Sequence, residues 1–282
     1  MTRATKASAV REHGVGLPKA FRKPEDEPIE AVIFDMDGVV TQSMRTHFAA
    51  WKEVFDAFLK GHAETQGGSY VPFCMEDYFT YVDGVPRFDG TRRFLNSRGV
   101  VLPEGSPDSF DPHTIHGLGN RKNQRFLAWL EHNKVPTYAD ALGLIRAVKD
   151  RGIKVGVFSA SRNAERVLKS AGVLDLFDVK VDGVDAEALD LAPKPDPALL
   201  LETTRRLGST PSRVIVVEDA ISGVKAGAAA GFRHVIGIDR EQIHEKEHYR
   251  ALRTSGADIV TRDLRDLYDL CLPAARAEEN TR

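Results

Sequence analysis

The chain has 282 residues, of which 42% are hydrophobic and 28% are charged, and its formal net charge is −2. These values are typical of a globular protein with a substantial core, and they give no reason to expect nucleic acid or an acidic membrane surface as a partner. No apolar run approaches the roughly 20 residues that span a membrane. Because only two cysteines, Cys74 and Cys271, are present, we expect no disulfide framework and a location in the cytoplasm.

The two ends of the chain are expected to be tails. Residues 1–23 carry six lysine or arginine residues against one acid, Glu12, and they lack the apolar centre of a secretory signal. A transit peptide is one interpretation of this segment. We favour the other, a disordered basic tail over residues 1–28, and we expect a second tail at residues 273–282.

A short strand and a long helical segment follow the N-terminal tail. Ala31–Phe34 is apolar throughout, as expected for a strand that is covered on both faces. Apolar residues recur at helical spacing over residues 48–59. Residues 61–68, which begin and end with glycine, and the Pro-, Asp-, Ser- and Gly-rich residues 103–112 predict loops. Because no convincing strand lies in this region, residues 46–134 are predicted to be a helical insertion.

Beyond Pro136 the pattern alternates between helices and strands. The predicted helices are 139–149, 163–171, 198–207 and a segment ending at 230, and the predicted strands are 155–158, 179–181, 214–217 and 234–238. Strands that alternate with helices indicate right-handed crossovers and a doubly wound parallel sheet. The predicted fold is therefore an α/β, Rossmann-like core of residues 29–45 and 135–272, with an inserted helical cap of residues 46–134.

Three glycines recur every four residues in the last of these helices. Gly223, Gly227 and Gly231 give it a smooth face. A membrane dimer is a poor interpretation because Lys225 and the short length forbid a span. We therefore predict close packing of this helix on the sheet.

Polar motifs follow the predicted strands at the edge where ligands of doubly wound sheets bind. They are Asp35-Met36-Asp37-Gly38, Ser159-Ala160-Ser161, Lys194-Pro195-Asp196-Pro197 and Glu218-Asp219. Each motif by itself is typical of a turn, a helix cap or a loop. All four together, in this order and at strand ends, indicate a functional site.

Metal-assisted phosphoryl transfer accounts for these residue types. Asp35 and Asp37 lie two apart and can face one pocket. Their adjacent carboxylates, with Glu218-Asp219 nearby, require a cation, and hard oxygen ligands favour Mg²⁺. Lys194 can supply a second counter-charge, and Ser159 with the following amides can hold phosphate oxygens. A carboxylate nucleophile beside a second carboxylate suits covalent phosphoryl transfer with a general acid/base partner.

The four motifs resemble those of the haloacid dehalogenase superfamily of phosphotransferases, over residues from about 29 to 270. The resemblance implies that Asp35 is the nucleophile that becomes an aspartyl phosphate and that Asp37 is the general acid/base. It also implies one Mg²⁺ per active site, held by Asp35, the Asp37 carbonyl and Asp219, with Glu218 close by. Ser159 and Lys194 would grip the transferring phosphoryl group. A helical cap inserted after the first motif also matches this superfamily.

Residues of the predicted cap narrow the resemblance to the β-phosphoglucomutase family. His47, in a segment that also contains Trp51, resembles the cap-hinge histidine of that family. Arg87, in Gly84-Val85-Pro86-Arg87, resembles the arginine that binds the non-transferring phosphate. Lys122 and Asn123 resemble the pair that faces the sugar and the acid/base. Each of these residues alone is typical of a solvated helix position, and only their joint spacing favours a site.

The segment Ser159-Ala160-Ser161-Arg162-Asn163 resembles the phosphate loop of the same family, with Arg162 where a lysine is usual. Arginine keeps the charge but presents a planar fork. The resemblance implies a distal phosphate position formed by Arg87, Ser161, Arg162 and Asn163, with Ala160 in the same loop.

One further pattern, His244-Glu245-Lys246-Glu247-His248, matches the H-E-x-x-H zinc motif. Its flanks lack the apolar face of a buried metal helix, and no third ligand is evident. We therefore predict a solvated charged helix.

The leading functional hypothesis is an Mg²⁺-dependent phosphomutase that converts β-glucose 1-phosphate to glucose 6-phosphate through a bisphosphate. A sugar-phosphate phosphatase on the same scaffold is the alternative, and a catalytically idle sugar-phosphate-binding protein is the third hypothesis. The expected partner is a small-molecule sugar phosphate, with neither nucleic acid nor membrane. A monomer is compatible with the sequence, and the oligomeric state is left open.

Overall fold

A six-stranded parallel sheet lies at the centre of the residues that the computed structural model describes, which are 28–66, 69–240 and 247–271. Its strands are β1 (Ala31–Asp35), β2 (Lys154–Phe158), β3 (Val179–Val181), β4 (Val214–Glu218), β5 (His234–Ile238) and β6 (Ile259–Thr261). Their order across the sheet is β3-β2-β1-β4-β5-β6. The first strand is therefore central, and the chain winds outward from it in both directions. This arrangement confirms the predicted doubly wound α/β fold.

The central strand is apolar because both of its faces are covered. All five residues of β1 are buried, and successive side chains point to opposite faces of the sheet. Val32 and Phe34 enter one hydrophobic cluster, whereas Ala31 and Ile33 enter the other. A strand covered on both faces reads as a continuous apolar run, which is why the sequence identified it.

Helices cover each face of the sheet. On one face lie α5 (Ala139–Asp150), α6 (Ala164–Ala171) and a 3₁₀ turn (Leu264–Leu267), with α11 (Tyr268–Cys271) at the end of the described chain. On the other face lie α8 (Ala198–Arg206), α9 (Ile221–Ala229) and α10 (Glu247–Thr254). A short helix, α7 (Gly183–Ala188), follows β3.

A separate group of helices, which we call the cap, follows β1. It consists of α1 (Met44–Gln66), α2 (Met75–Asp77) with a π-helical turn (Tyr78–Val82), α3 (Arg87–Ser97) and α4 (Ile115–His132). The cap has its own hydrophobic cluster, in which the rings of Phe55, Phe73 and Phe94 are in mutual contact. Within residues 44–66 and 69–132 no strand is present, as predicted. The boundaries at 46 and 134 stay a prediction.

The prediction of a loop at residues 61–68 was wrong for its described part. Helix α1 continues through Gly61 to Gln66. A single helical glycine costs only about 1 kcal/mol relative to alanine. The ring of His62 stacks on Phe58 with centroids 5.6 Å apart, and this contact carries the packed face of the helix past the glycine.

The glycine face of α9 was predicted correctly at two of three positions. A Cβ on Gly223 would lie 1.9 Å from Glu218 Oε2, and a Cβ on Gly227 would lie 3.0 Å from Val235. Gly231 instead lies beyond the helix with φ +71° and open space around it. It therefore belongs to the turn before β5.

Several predictions fall on residues outside those described, including both tails apart from Pro28, and His244 of the H-E-x-x-H pattern. The second histidine of that pattern, His248, is partly buried rather than solvated. Its Nδ1 lies 2.9 Å from Asp239 Oδ1, and its ring lies 5.9 Å from that of Phe79 in the cap. Across the described ranges, no helix combines the length and apolar character that crossing a membrane requires.

Candidate active site

The carboxyl ends of three adjacent strands bring the polar motifs together. Asp35 is the last residue of β1, and its register partner on β2 is Phe158, directly before Ser159. On the other side, β4 ends at Glu218. Because parallel strands end at one edge, residues far apart in sequence converge beside Asp35.

Lys194 forms the most buried ionic contact of this edge. Its ammonium donates to Asp35 Oδ1 over 2.6 Å and to Glu218 Oε2 over 2.7 Å, and all three side chains are buried. Contact with two carboxylates raises the pKa of Lys194 despite its burial, so it stays charged. Burial, and then Glu218, raise the pKa of Asp35, and Lys194 opposes that shift. One ammonium thus balances only part of the negative charge.

Glu218 and Asp219 differ in how their oxygens are used. Glu218 Oε1 accepts from the main-chain N–H of Ala220 over 2.9 Å, and Oε2 accepts from Lys194, so both oxygens have protein donors. Among the described residues, none donates a hydrogen bond to the partly exposed carboxylate of Asp219. Burial, followed by nearby carboxylates, raises its pKa. Asp219 is therefore better placed than Glu218 to bind a cation.

The donor set fits Mg²⁺. Oxygens of Asp35, Glu218 and Asp219 lie within 4.8 Å of one another, and hard carboxylate oxygens suit this ion. Gly38 shapes the same cradle with φ +82°, and a Cβ there would lie 1.7 Å from Asp219 Oδ2. Only glycine allows the loop after Asp37 to approach the carboxylate this closely.

Asp37 is held by hydroxyl groups of its own loop. The hydroxyls of Ser43 and Thr41 both donate to Asp37 Oδ1, the latter over 3.3 Å. Burial raises the pKa of Asp37, and these hydrogen bonds from Ser43 and Thr41 oppose the increase. A carboxyl group with a raised pKa can exchange a proton nearer neutral pH than an ordinary aspartate.

Two cap residues, His47 and Lys122, lie over Asp37. Lys122 Nζ is 2.7 Å from His47 Nδ1, and His47 Nε2 is 3.9 Å from Asp37 Oδ2. Burial, with the charges of Lys122 and Arg87, lowers the pKa of His47 well below 6.5, so the ring is neutral. Because the ammonium can only donate, Nδ1 accepts and the ring proton lies on Nε2, facing Asp37.

Burial, and then Arg87, lower the pKa of Lys122 to about 7. Its Nζ lies 5.0 Å from the ring centroid of Trp51 and 5.2 Å from that of Phe126. The ring of Phe126 also stacks on His47 at 4.0 Å. Aromatic side chains thus replace water around the Lys122 ammonium and the neutral His47 ring.

A second cationic region is formed by Arg87 and Arg162. Burial and the charge of Arg162 lower the pKa of Arg87 to about 10. Mutual repulsion of this kind favours an anion between the two groups. Arg162 is half exposed and is also paired with Glu187, whereas Arg87 has a 3.5 Å contact with Asn120 and lies 5.6 Å from the ring centroid of Phe88.

The predicted phosphate loop is ordered by its own hydroxyl groups. Ser159 Oγ accepts from the N–H of Ser161, and Ser161 Oγ accepts from the N–H of Asn163, both over 3.1 Å. The Asn163 amide donates to Asn123 Oδ1 over 2.6 Å and so joins the loop to the cap. Ala160 lies in this turn. The loop therefore meets the cap beside the predicted distal phosphate position.

Sequence reasoning missed two residues of this region. In the cap, burial, followed by the charge of Glu218, raises the pKa of Asp83 to about 7. Arg240 donates to the carbonyl oxygens of Gly38 and Val39 over 3.2 and 3.3 Å and supports the loop after Asp37. For Asp83 the available signal was its position directly before Gly84-Val85-Pro86-Arg87. For Arg240 there was none, because a single arginine after a strand has no distinguishing pattern.

Comparisons with known proteins agree with this geometry. The family model described as haloacid dehalogenase-like hydrolase matches residues 29–231. A β-phosphoglucomutase from Mycobacterium bovis is 40% identical over 262 residues, 92% of this chain and 95% of that protein. A phosphorylated carbohydrates phosphatase from Thermotoga maritima is 30% identical over 231 residues, 81% of this chain and 92% of that protein. The crystal structure of a β-phosphoglucomutase from Clostridium difficile is 25% identical, with a TM-score of 0.65, and covers 85% of this chain and 93% of its own.

The family model covers well over half of the chain, and the Mycobacterium relative matches it along nearly its full length. The chain therefore belongs to the haloacid dehalogenase superfamily, in its β-phosphoglucomutase-like family, and is an enzyme of phosphoryl transfer, a phosphomutase or a phosphatase.

Proposed function

We propose that the protein is an Mg²⁺-dependent β-phosphoglucomutase. The observation that carries this proposal is the pair of cap residues over Asp37: Lys122 hydrogen-bonded to His47, whose Nε2 faces the carboxylate at 3.9 Å. This pair supplies positive charge and a donor on the sugar side of the site. A mutase needs such groups because it must hold a sugar hydroxyl, instead of water, against the phosphoryl group.

Asp35 and Asp219, with the main-chain carbonyl of Asp37, are the proposed ligands of Mg²⁺. The accumulated carboxylates, opposed in the buried cluster by Lys194, support this assignment. When bound, the cation supplies positive charge against the phosphoryl oxygens. Lys194 adds its own charge at Asp35 and favours the ionised form of the carboxylate that attacks.

The proposed reaction has two phosphoryl transfers. In the first, the bond between phosphorus and Asp35 of the phosphoenzyme breaks, a bond from phosphorus to the sugar C6 oxygen forms, and Asp37 takes the proton of that hydroxyl. The bisphosphate then reorients. In the second, Asp35 attacks the C1 phosphate, and Asp37 returns the proton to the C1 oxygen, which leaves glucose 6-phosphate and a phosphorylated Asp35.

The distal phosphate is proposed to lie near Arg87. Arg87 is the less engaged of the two guanidinium groups, and the loop of Ser161 and Asn163 adjoins the cap there. Asp35 is only 6% exposed, so little water reaches its carboxylate. Exclusion of water protects an aspartyl phosphate from hydrolysis and favours transfer to a sugar.

A sugar-phosphate phosphatase is the second candidate, and one observation favours it. Arg162 is half exposed and paired with Glu187, so one of the two arginines at the distal position is already bound to a carboxylate. A hydrolase needs only the phosphoryl half of the site. The Thermotoga relative bears the name of such a phosphatase. Family membership supports either enzyme over the catalytically idle binding protein.

Product identity tests the proposal. Phosphorus NMR would follow β-glucose 1-phosphate with Mg²⁺ and a trace of β-glucose 1,6-bisphosphate. Glucose 6-phosphate is the expected product, and Asp35→Asn should abolish its formation. Free phosphate as the main product would contradict the mutase and support the phosphatase.

A matched pair of arginine variants locates the distal phosphate. Arg87→Ala should lower kcat/KM for the mutase reaction by roughly 10- to 100-fold, because a charge-assisted contact is lost. Arg92→Ala, on the same helix but paired with Asp89 and Glu104, should leave it nearly unchanged. Equal effects of the two substitutions would contradict a phosphate position at Arg87.

A further inference from the structure

Arg240, which follows β5, holds the loop between β1 and the cap from outside. Its Nε donates to the carbonyl of Gly38 over 3.2 Å, and its Nη2 donates to the carbonyl of Val39 over 3.3 Å. The next carbonyl, that of Val40, accepts from the main-chain N–H of Tyr138 over 3.0 Å. Three successive carbonyl oxygens of this loop are therefore bound by donors that belong to other segments of the chain.

The groups that hold the loop are also joined to one another. The guanidinium carbon of Arg240 lies 3.8 Å from the ring centroid of Tyr138. Its Nη1 donates to Asp140 Oδ2 over 2.9 Å, and the same oxygen accepts from the main-chain N–H of Leu264 over 2.8 Å. Nη1 also lies 3.4 Å from the carbonyl oxygen of Arg262. The side chain of Arg240, only 10% exposed, thus ties the loop to the start of α5 and to the segment after β6.

This arrangement requires a guanidinium group, and not only a positive charge. Arginine presents five N–H donors in a rigid planar fork, whereas the lysine ammonium is a compact point charge with three donors. The nitrogens of Arg240 reach four acceptors on three segments of the chain while the group packs on an aromatic ring. A lysine at this position would keep the charge and lose most of these contacts.

The loop carries active-site groups at both of its ends. Asp37 directly precedes it, and the hydroxyls of Thr41 and Ser43 at its far end donate to the Asp37 carboxylate. Gly38 also approaches Asp219 so closely that a Cβ would lie 1.7 Å from Asp219 Oδ2. A displacement of the loop would therefore move Asp37 and the main chain beside Asp219 together. A displacement of about 1 Å can lower a reaction rate by roughly 100-fold.

We propose that Arg240 is a positioning residue for phosphoryl transfer: its guanidinium fork holds the loop after Asp37 where the acid/base and the metal site require it. The inference rests on the proposed roles of Asp37 and does not depend on whether a sugar or water accepts the phosphoryl group. Arg240 contacts the loop and the ends of other core segments, and not the proposed phosphate-binding residues. Its loss should therefore lower kcat and Mg²⁺ affinity and leave KM for the sugar phosphate nearly unchanged.

Arg240→Ala and Arg240→Lys in the full chain test the proposal. The assay supplies β-glucose 1-phosphate, Mg²⁺ and a trace of β-glucose 1,6-bisphosphate, and it counts glucose 6-phosphate and free phosphate together. In both variants kcat should fall by roughly 10- to 100-fold, the usual effect of removing a group that orients a metal ligand. KM should stay within about threefold of the wild-type value. Calorimetric titration with Mg²⁺ as the only ligand should show binding weakened by roughly tenfold.

Rescue by free guanidinium separates positioning from general damage. A cavity of about 430 Å³ adjoins Arg240, and its lining includes the exposed side chains of Arg262 and Arg265. A guanidinium ion can therefore reach the space that Arg240→Ala creates. At concentrations far below the molar range that unfolds proteins, guanidinium should raise kcat of Arg240→Ala several-fold. It should leave Arg240→Lys and the wild type unchanged, because a side chain fills the space in both.

Arg265→Ala is the matched control, since Arg265 lines the same cavity but is exposed and paired with Asp263. It should match the wild type in kcat, KM and Mg²⁺ affinity. Wild-type kcat in the Arg240 variants, or no increase of Arg240→Ala activity with guanidinium, would overturn the proposal and leave the proposed function intact. If Arg240→Ala does not fold, wild-type kcat in Arg240→Lys alone overturns it. A wild type that forms neither product would overturn the proposed function as well.

Discussion

Replacement of Lys194 by methionine tests whether the buried ion pairs at the strand ends are a main source of local stability. The ammonium donates to Asp35 over 2.6 Å and to Glu218 over 2.7 Å, and its side chain is 1% exposed. Lys194→Met leaves two buried carboxylates without their counter-charge. Removal of one partner from a buried ion pair costs about 3–5 kcal/mol. We therefore expect the free energy of unfolding to fall by that amount at about pH 8.

The direction in which the stability of Lys194→Met changes with pH follows from the protonation of Asp35. Without Lys194 the pKa of Asp35 rises further above its ordinary value, so the folded state binds more protons than the unfolded state. Stability of the variant must then fall as pH rises through this window. The loss relative to wild type should be clearly smaller at about pH 5, where Asp35 with its raised pKa can take up a proton.

Urea unfolding in EDTA at the two pH values measures both effects. Lys149→Met is the control, because Lys149 pairs with Asp178 at the surface, where the loss should be about 0–1 kcal/mol at either pH. A Lys194→Met protein as stable as the wild type, or one with the same loss at both pH values, would refute the reasoning. If the variant does not fold at about pH 8, a variant that folds at about pH 5 still shows the expected pH dependence of stability.

Three further changes probe the site. His47→Gln should reduce the loss of stability that the wild type shows as pH falls below about 6.5, since a buried neutral histidine is protonated only on unfolding; urea unfolding at two pH values measures this. Gly38→Ala should lower Mg²⁺ affinity and phosphoryl transfer by more than roughly 100-fold, because its Cβ would lie 1.7 Å from Asp219 Oδ2; calorimetry and product assays measure both. Ser43→Ala should move the acidic limb of the pH–rate profile to higher pH, because it removes a hydrogen bond that lowers the pKa of Asp37.

Controls separate these effects from general damage. Gly152→Ala also replaces a glycine with positive φ, +75°, but its Cβ would meet open space, so it should cost about 1 kcal/mol and leave activity unchanged. Equal loss of Mg²⁺ binding in both glycine variants would contradict the role given to Gly38. An unchanged pH–rate profile in Ser43→Ala would contradict the assignment of the acidic limb to Asp37.

Local pattern was enough to predict the core of this fold. The apolar run Ala31–Phe34 identifies a strand covered on both faces, and the alternation after Pro136 identifies parallel crossovers. Because parallel strands end at one edge, the sequence also indicated that Asp35 and Glu218 meet. The prediction of a loop that begins at Gly61 was wrong. The packing of the preceding turns of helix α1 outweighs the weak preference of one glycine against helix.

Residue patterns along the chain were enough to predict the α/β core and the strand-end residues, because the hydrophobic period of each segment is a local property. Tertiary structure alone decided which atoms touch: Lys194 bonds to a residue 159 positions away, and Lys122 to one 75 positions away. It alone shows Glu218 with both oxygens used by protein donors. These contacts join residues that are distant in the sequence, within the core for Lys194 and within the cap for Lys122, and no local periodicity encodes the distance between them.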